Sequence, residues 1–371
     1  MTCRTIKIGD IVEQYREICL KRNLTPDDVW GISAKKEFFS PARQIGQDTS
    51  GYKIVSPGCF ACNLLHVGRD KVLPIALNRD DKAKIVSFNY YVFKFKDNPH
   101  ILKEYFFLLL FSEDMDRYFS YHTESSVRDR VDWKTFCSAE LKVPPIDEQK
   151  RVVDVFLSLR ENIALLKKYN NLLKRLISAV MEEHLREAPT LELGEFITKE
   201  EVQNSENLLG AKDLYGISAD KTFCASMTDV KKVNLSAFFI VKPKYFAYNE
   251  ITSRNKESLS LAFNITDKNI LVSNRYRVFK ITSDKIIEEF LYLYFTREEF
   301  NRFARFSSWG CAREMFEWSD FIRTKIPVPP LLNQKILADL FYLLEFKKKK
   351  LTQYEKMAKR FSSLVFKKYS D

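Results

Sequence analysis

The sequence predicts an α+β protein: two α/β domains in tandem, separated by two long helices that pair as an antiparallel coiled coil with pseudo-twofold symmetry. Three observations carry this. Val143-Pro144-Pro145-Ile146-Asp147-Glu148-Gln149-Lys150 opens a run to Glu187 that contains neither Gly nor Pro. Val328-Pro329-Pro330-Leu331-Leu332-Asn333-Gln334-Lys335 opens a second such run, 185 positions later, that continues to Asp371. Upstream of both, landmarks recur at nearly the same offset, so the chain is an internal duplication.

Taken in order, residues 1–145 form the first domain, 146–187 the first helix, 188–330 the second domain and 331–371 the second helix. Gly9 recurs as Gly194, Trp30-Gly31-Ile32-Ser33 as Tyr215-Gly216-Ile217-Ser218, and Phe38 as Phe223, all at 185. At 186, Pro57 through Asn63 aligns with Pro243 through Asn249, sharing Phe60-Ala61 and Phe246-Ala247. Val92-Phe93-Lys94 matches Val278-Phe279-Lys280 at 186 as well, and the offset returns to 185 at Arg128/Arg313 and Trp133/Trp318. Strands are expected at Tyr52–Val55, Lys84–Phe95, Phe238–Val241 and Ile270–Ile281, and helices near Ile101–Phe119 and Ser283–Phe303.

In the first long helix apolar residues fall at Val152, Phe156, Leu159, Ile163, Leu166, Leu173, Ile177 and Val180, a seam of period seven. Leu337, Leu344, Leu351, Ala358 and Val365 repeat it in the second. Pro145 and Asp147 suit a helix start, and Pro189 lies just past the end. About forty residues at 1.5 Å each give a rod of about 60 Å, longer than one small domain is wide. The seam lapses at Asn170 and at Lys347–Lys350, and paired polar middles would set the register of an antiparallel coil.

Hydrophobic content of 45% and aromatic content of 14% belong to an ordered globular chain. No signal-peptide pattern is present, Tyr105–Phe111 is the longest apolar run, and the seven cysteines are scattered, so a cytoplasmic location without membrane contact is expected. The net charge is +11, but residues 1–145 carry only +3, 146–187 carry +1, 188–325 carry +1 and 326–371 carry +6. Composition therefore permits nucleic-acid binding without requiring it.

Catalytic chemistry finds little footing. Cys59-Phe60-Ala61-Cys62 has the spacing of a metal or redox half-site, but its counterpart is Tyr245-Phe246-Ala247-Tyr248, which points to buried strand positions. His66, His100, His122 and His184 lack ligand spacing. Glu148-x-Lys150 resembles part of a nuclease metal site, yet Leu331-Leu332-Asn333-Gln334-Lys335 offers no carboxylate there. What the copies share, Pro-Pro with Gln149/Gln334 and Lys150/Lys335, suits a structural corner. Neither a glycine-rich phosphate or cofactor loop nor an Asn-Pro-Pro-aromatic tetrapeptide occurs, so no metal or cofactor is expected on the chain itself.

Basic and polar clusters remain as candidate DNA contacts. The first domain offers Lys35, Lys36, Arg43, Gln44, Arg69, Arg79, Arg128 and Arg130, with Ser125-Ser126 beside the last two. The second offers Lys221, Arg254, Asn255, Lys256, Arg275, Arg277 and Arg313, which follows Ser307-Ser308. Arg and Asn suit bidentate contacts to guanine and adenine edges, while Lys and Ser suit phosphates. Arg128 and Arg313 stand out because they occupy matching positions.

The double occurrence of domain, Pro-Pro-x-x-x-Gln and long helix resembles the specificity subunits of type I restriction-modification systems over the whole chain. Family members usually show Glu-Gln where Glu148-Gln149 stands, and Asn333-Gln334 departs from that. The resemblance implies a non-catalytic reader of double-stranded DNA, with two target recognition domains reading the halves of a bipartite, asymmetric site. It implies two methyltransferase subunits docked on the helices, and restriction subunits in the complete complex. S-adenosylmethionine, ATP and Mg would be bound by those partners. The rival readings are a stand-alone DNA-modifying enzyme and a coiled-coil scaffold joining two protein-binding domains.

Overall fold

The computed structural model describes residues 3–21, 23–40, 45–65, 67–123, 130–218, 220–226, 233–252, 259–310 and 314–370. The first copy runs β1 (Arg4–Lys7), α1 (Ile8–Ile11), β2 (Val12–Gln14), β3 (Gly31–Ile32), β4 (Phe38–Phe39), β5 (Lys53–Val55), β6 (Phe60–Asn63), α2 (Val67–Asp70), β7 (Ile75–Leu77), β8 (Lys84–Val86) and β9 (Tyr90–Phe95). It continues with α3 (Lys103–Phe111), α4 (Glu113–Tyr121), α5 (Trp133–Ser138), β10 (Glu140–Val143) and the long helix α6 (Ile146–Leu185). The second copy repeats much of this order. It runs β11 (Thr190–Glu192), β12 (Ile197–Lys199), β13 (Tyr215–Ile217), β14 (Phe223–Ala225), β15 (Phe239–Val241), β16 (Phe246–Asn249), β17 (Leu261–Phe263), β18 (Ile270–Val272) and β19 (Tyr276–Ile281). Its last elements are α7 (Glu288–Thr296), α8 (Glu298–Phe306), α9 (Trp318–Arg323), β20 (Lys325–Pro327) and α10 (Leu331–Ser370).

Sheet topology is duplicated with its register. The order β2-β9-β6-β7 recurs as β12-β19-β16-β17, and the pairs β5–β8 and β3–β4 recur as β15–β18 and β13–β14. Ala61 lies between Val92 and Ala76, as Ala247 lies between Val278 and Ala262. Neighbouring side chains on a strand point to opposite faces. Phe60 therefore joins the core with α3 and stacks on Phe93 at 5.1 Å, while Ala61 faces a second layer with Val55 and Val86. Phe246 stacks on Phe279 at 5.0 Å in the same way. The Phe-Ala pair seen twice in the sequence is one large residue for one face and one small residue for the other.

Two expected segments are more finely divided than the periodicity indicates. Lys84–Phe95 is two strands in different sheets, because Tyr90 N–H bonds the Ser87 carbonyl and turns the chain at Ser87–Asn89. Ile270–Ile281 divides likewise at Ser273–Arg275. The helix expected over Ile101–Phe119 is broken at Ser112, whose backbone is extended and whose hydroxyl caps α4 by accepting the Met115 amide at 3.2 Å. Arg297 interrupts the second copy at the matching place with ψ 145. Gly9 and Gly194 have a steric reason for recurring: a Cβ on either would approach a backbone carbonyl of the next short helix, Cys137 at 3.2 Å or Ile322 at 3.3 Å.

Chain contacts group the molecule into two units, residues 1–167 with 349–371, and residues 168–348. Inside the first, the start of α6 lies against the end of α10. Phe156 shares a core with Val365 and Tyr369, and Glu148 accepts hydrogen bonds from Lys368 Nζ at 2.7 Å and Tyr369 Oη at 2.6 Å. Inside the second, the end of α6 lies against the start of α10. Ile177 and Met181 join Leu337, Phe341 and Leu344, and Asn333 Nδ2 meets His184 Nδ1 at 3.2 Å. Each unit thus holds an antiparallel helix pair. The carboxylate missing from the second copy is explained here: Glu148 and Asn333 secure the same corner against different partners.

The seam repeats every seven residues as the sequence implies, with Phe156, Ile163, Asn170 and Ile177 buried and Val152, Leu159, Leu166, Leu173 and Val180 half-buried. Asn170 is no lapse in burial. It is a buried polar member of the seam, and its side-chain carbonyl oxygen has no hydrogen-bond partner.

Candidate nucleic-acid interface

The Pro-Pro-x-x-x-Gln corner ties each long helix to the domain before it. Gln149 and Gln334 are fully buried. Gln149 Nε2 donates to the carbonyls of His100 (2.7 Å) and Pro144 (2.8 Å), and its Oε1 accepts the amide of Leu102, the N-cap of α3. Gln334 does the same with Lys285, Pro329 and Ile287, the N-cap of α7. One side-chain amide therefore joins each long helix to the first buried helix of its domain, satisfying an orphan N–H at that helix start.

Two short hairpins project from the sheets at equivalent places. In β3–β4 and β13–β14 the turn residues Lys36 and Lys221 both sit in the left-handed region at φ 58. Both side chains run inward and are buried, so the two lysines are not surface DNA contacts. Lys36 donates to Asp116 at 2.7 Å and to the Leu110 carbonyl; Lys221 donates to the Leu259 carbonyl at 2.8 Å. Burial pulls the pKa of both ammonium groups down, that of Lys221 to about 7. Asp116 opposes the effect at Lys36.

Behind each hairpin lies a cavity. The first, about 370 Å³, is lined by Trp30, Glu37, Phe38, Arg79, Lys84 and Arg160 among others. The second, about 330 Å³, is lined by Tyr215, Thr222, Phe223, Ile265, Ile270 and Glu345 among others. Arg160 lies over the rings of Phe107, Phe111 and Phe156 at 5.3 to 5.9 Å, and burial brings its pKa down to about 10. Position 185 further on is Glu345. The two cavities are lined at matching positions and differ in charge.

Among the other candidates, Lys35 is exposed and pairs with Glu355 at 2.8 Å. Arg130 and Arg275 are exposed, the latter at the turn between β18 and β19. Arg277 is engaged by Glu250 at 2.9 Å and Glu201 at 3.5 Å, which raises its pKa, and Glu250 also accepts the Trp318 amide. Arg79 stacks on Phe107 at 4.7 Å and pairs with Glu104. Arg69 lies on α2. Arg43, Gln44, Arg128, Arg254, Asn255, Lys256 and Arg313 lie outside the described residues.

Sequence reasoning missed Asn78 and Asn264. Each is buried and donates to two carbonyls, Val55 and Lys82 or Val241 and Lys268, tying the loop at the cavity mouth to the neighbouring strand. Their recurrence at 186 was the available signal. Cys62 is a buried residue of β6, consistent with the strand reading, and burial raises its thiol pKa. Among the described residues no three His, Cys, Asp or Glu side chains are grouped to hold a metal. No helix there is long and apolar enough to cross a membrane.

Comparison with known proteins adds the following. The family model described as type I restriction modification DNA specificity domain matches residues 75–175 and 195–356. The crystal structure of the S subunit of a type I restriction-modification system from M. genitalium superposes with a TM-score of 0.61 at 12% identity, covering 98% of this chain and 96% of that one. The HsdS subunit from Thermoanaerobacter tengcongensis gives a TM-score of 0.36 at 15% identity, covering 99% and 96%. A chain from a study of complex assembly and conformational transition of the type I R-M system gives 0.44 at 15%, covering 99% and 97%. No curated protein matches the sequence.

Proposed function

The chain belongs to the type I restriction modification DNA specificity domain family, and from that premise we propose that its two globular parts each read one half of a bipartite, asymmetric site in double-stranded DNA. The observation that carries this is the duplicated match, one segment in each copy and each running on into a long helix. The chain is a specificity component. Methylation and cleavage, with S-adenosylmethionine, ATP and Mg, are assigned to two methyltransferase subunits and the restriction subunits. Exposed apolar side chains on the long helices support such docking: Leu172 and Leu176 on α6, and Leu332, Ile336 and Leu343 on α10.

Within this reading Lys35, Arg130 and Arg275 contact DNA, together with Arg43, Gln44, Arg69, Arg128, Arg254, Asn255, Lys256 and Arg313. Arg277 orders the β19 surface through its two carboxylates. Co-expression with a methyltransferase subunit, followed by mapping of methylated adenines, tests the proposal. A two-part motif with a fixed gap is expected, and replacing residues 1–140 by the same region of another family member changes one half alone. Adenine methylation without a two-part motif would overturn it.

A further inference from the structure

Helices α4 and α8 occupy equivalent positions in the two copies, and their inward residues have drifted: Met115 and Phe119 in one, Phe300 and Ala304 in the other. Their outward faces have not. Tyr121 is 85% exposed and Phe306, at offset 185, is 91% exposed. One helical turn earlier stand Arg117 and Arg302, at the same offset, with side chains 71% and 69% exposed. Residues four apart share a helix face, so each helix ends in an exposed arginine–aromatic pair. An aromatic left this bare contributes little to its own core. Its retention in both copies, where the supporting core residues changed, needs a reason outside packing.

We infer that Tyr121 with Arg117, and Phe306 with Arg302, are matched contacts to duplex DNA, one in each reader; this rests on the DNA-reading proposal above. The ring supplies a flat apolar surface to press against a base step or stack on an unpaired base, and the guanidinium supplies a phosphate contact beside it. Arg117 pairs with the largely buried Asp114 at 2.5 Å, and Arg302 pairs with the exposed Glu299 at 3.4 Å and Glu298 at 3.8 Å; both guanidinium groups remain mostly exposed and accessible to a phosphate. Each aromatic stands beside an exposed guanidinium, the pairing that suits a base face next to a phosphate, while the carboxylates of the same helices, Glu113 and Asp114 or Glu298 and Glu299, lie in the first turn, away from the aromatic end.

The test uses the full chain assembled with a methyltransferase subunit and a duplex that this complex selects from a random library. Tyr121→Ala and Phe306→Ala should each weaken binding by about tenfold to a hundredfold, the range that loss of one stacked base produces. Tyr121→Phe and Phe306→Tyr should restore it, and footprints of the two Ala variants should lose protection in opposite half-sites. Assembly with the methyltransferase should be unchanged by size-exclusion chromatography. Undiminished DNA affinity in the Ala variants overturns the inference, as does loss of assembly, which would make this a protein-docking face. Failure of the wild-type complex to select any sequence strikes the DNA-reading proposal itself, and is thereby distinguished from failure of the aromatic pairs alone.

Discussion

The hairpin lysine of the first copy and that of the second share a backbone and differ in counter-charge. Lys36 meets Asp116, whose Oδ1 also accepts the Leu73 amide at 2.9 Å. At the same place in the second copy stands Asn301, whose Oδ1 accepts the Leu259 amide at 3.3 Å. The structural role of the carboxylate, capturing a backbone N–H, has been kept, and its charge has been lost. Lys221 accordingly has a carbonyl acceptor in place of a carboxylate, and its proton is held weakly. The cavities behind the hairpins teach the same thing, with Arg160 in one and Glu345 in the other. Duplication preserved the joints and hydrogen-bond geometry, while the charges around them diverged.

The largest expected effect comes from making the first copy like the second. Asp116→Asn leaves a buried lysine without its anion and should destabilise the protein by about 3–5 kcal/mol, the cost of breaking a buried pair from one side. Urea unfolding measures it, and a loss under about 1 kcal/mol would show that the counter-charge is not what separates the copies. The converse, Asn301→Asp, supplies a charged partner and should stabilise by about 1.5–3 kcal/mol at neutral pH if Lys221 reaches it.

Titration sharpens the same contrast. The pKa of Lys221 is about 7 when folded and about 10.4 in the unfolded chain. Between those values the unfolded state binds the proton and the folded state does not. Stability contributed here therefore rises as pH climbs from 7 towards 10, and is flat on either side. Denaturation midpoints at several pH values should show this slope, and Lys221→Met should remove it.

The joints, by contrast, should behave alike. Gln149→Ala and Gln334→Ala each strand a buried amide and two carbonyls, at about 1–3 kcal/mol per variant, and the two losses should agree within about 0.5 kcal/mol. A marked inequality would break the view that the corners are equivalent. The smallest effect concerns Asn170, whose counterpart at offset 185 is Glu355, a carboxylate paired with Lys35. Asn170→Leu removes an unsatisfied buried oxygen and should raise stability by about 1 kcal/mol, read as a shift in thermal midpoint.

Much of this was legible because it is local or repeated. Helix boundaries follow from proline placement and seven-residue spacing, which act over a few turns. The second copy is also a control on the first: Tyr245 and Tyr248, the counterparts of Cys59 and Cys62, mark those positions as packing sites, and both cysteines are buried. The same comparison could have found Asn78/Asn264 and Tyr121/Phe306. Residue type alone misled at Lys36 and Lys221, where a lysine in a polar stretch reads as a surface charge.

By itself the sequence determined the duplication, the two long helices, the corner that begins each and the family to which the chain belongs. Only the tertiary structure decided which polar side chains face inward. Lys36 finds Asp116 across 80 residues of chain, and Gln149 finds Leu102 across 47. Burial is a sum over neighbours contributed by distant segments, and a left-handed turn can send a long lysine either into solvent or into the core without changing any local pattern. Periodicity reports the face of an element. What waits opposite that face is set by the packing of the whole unit.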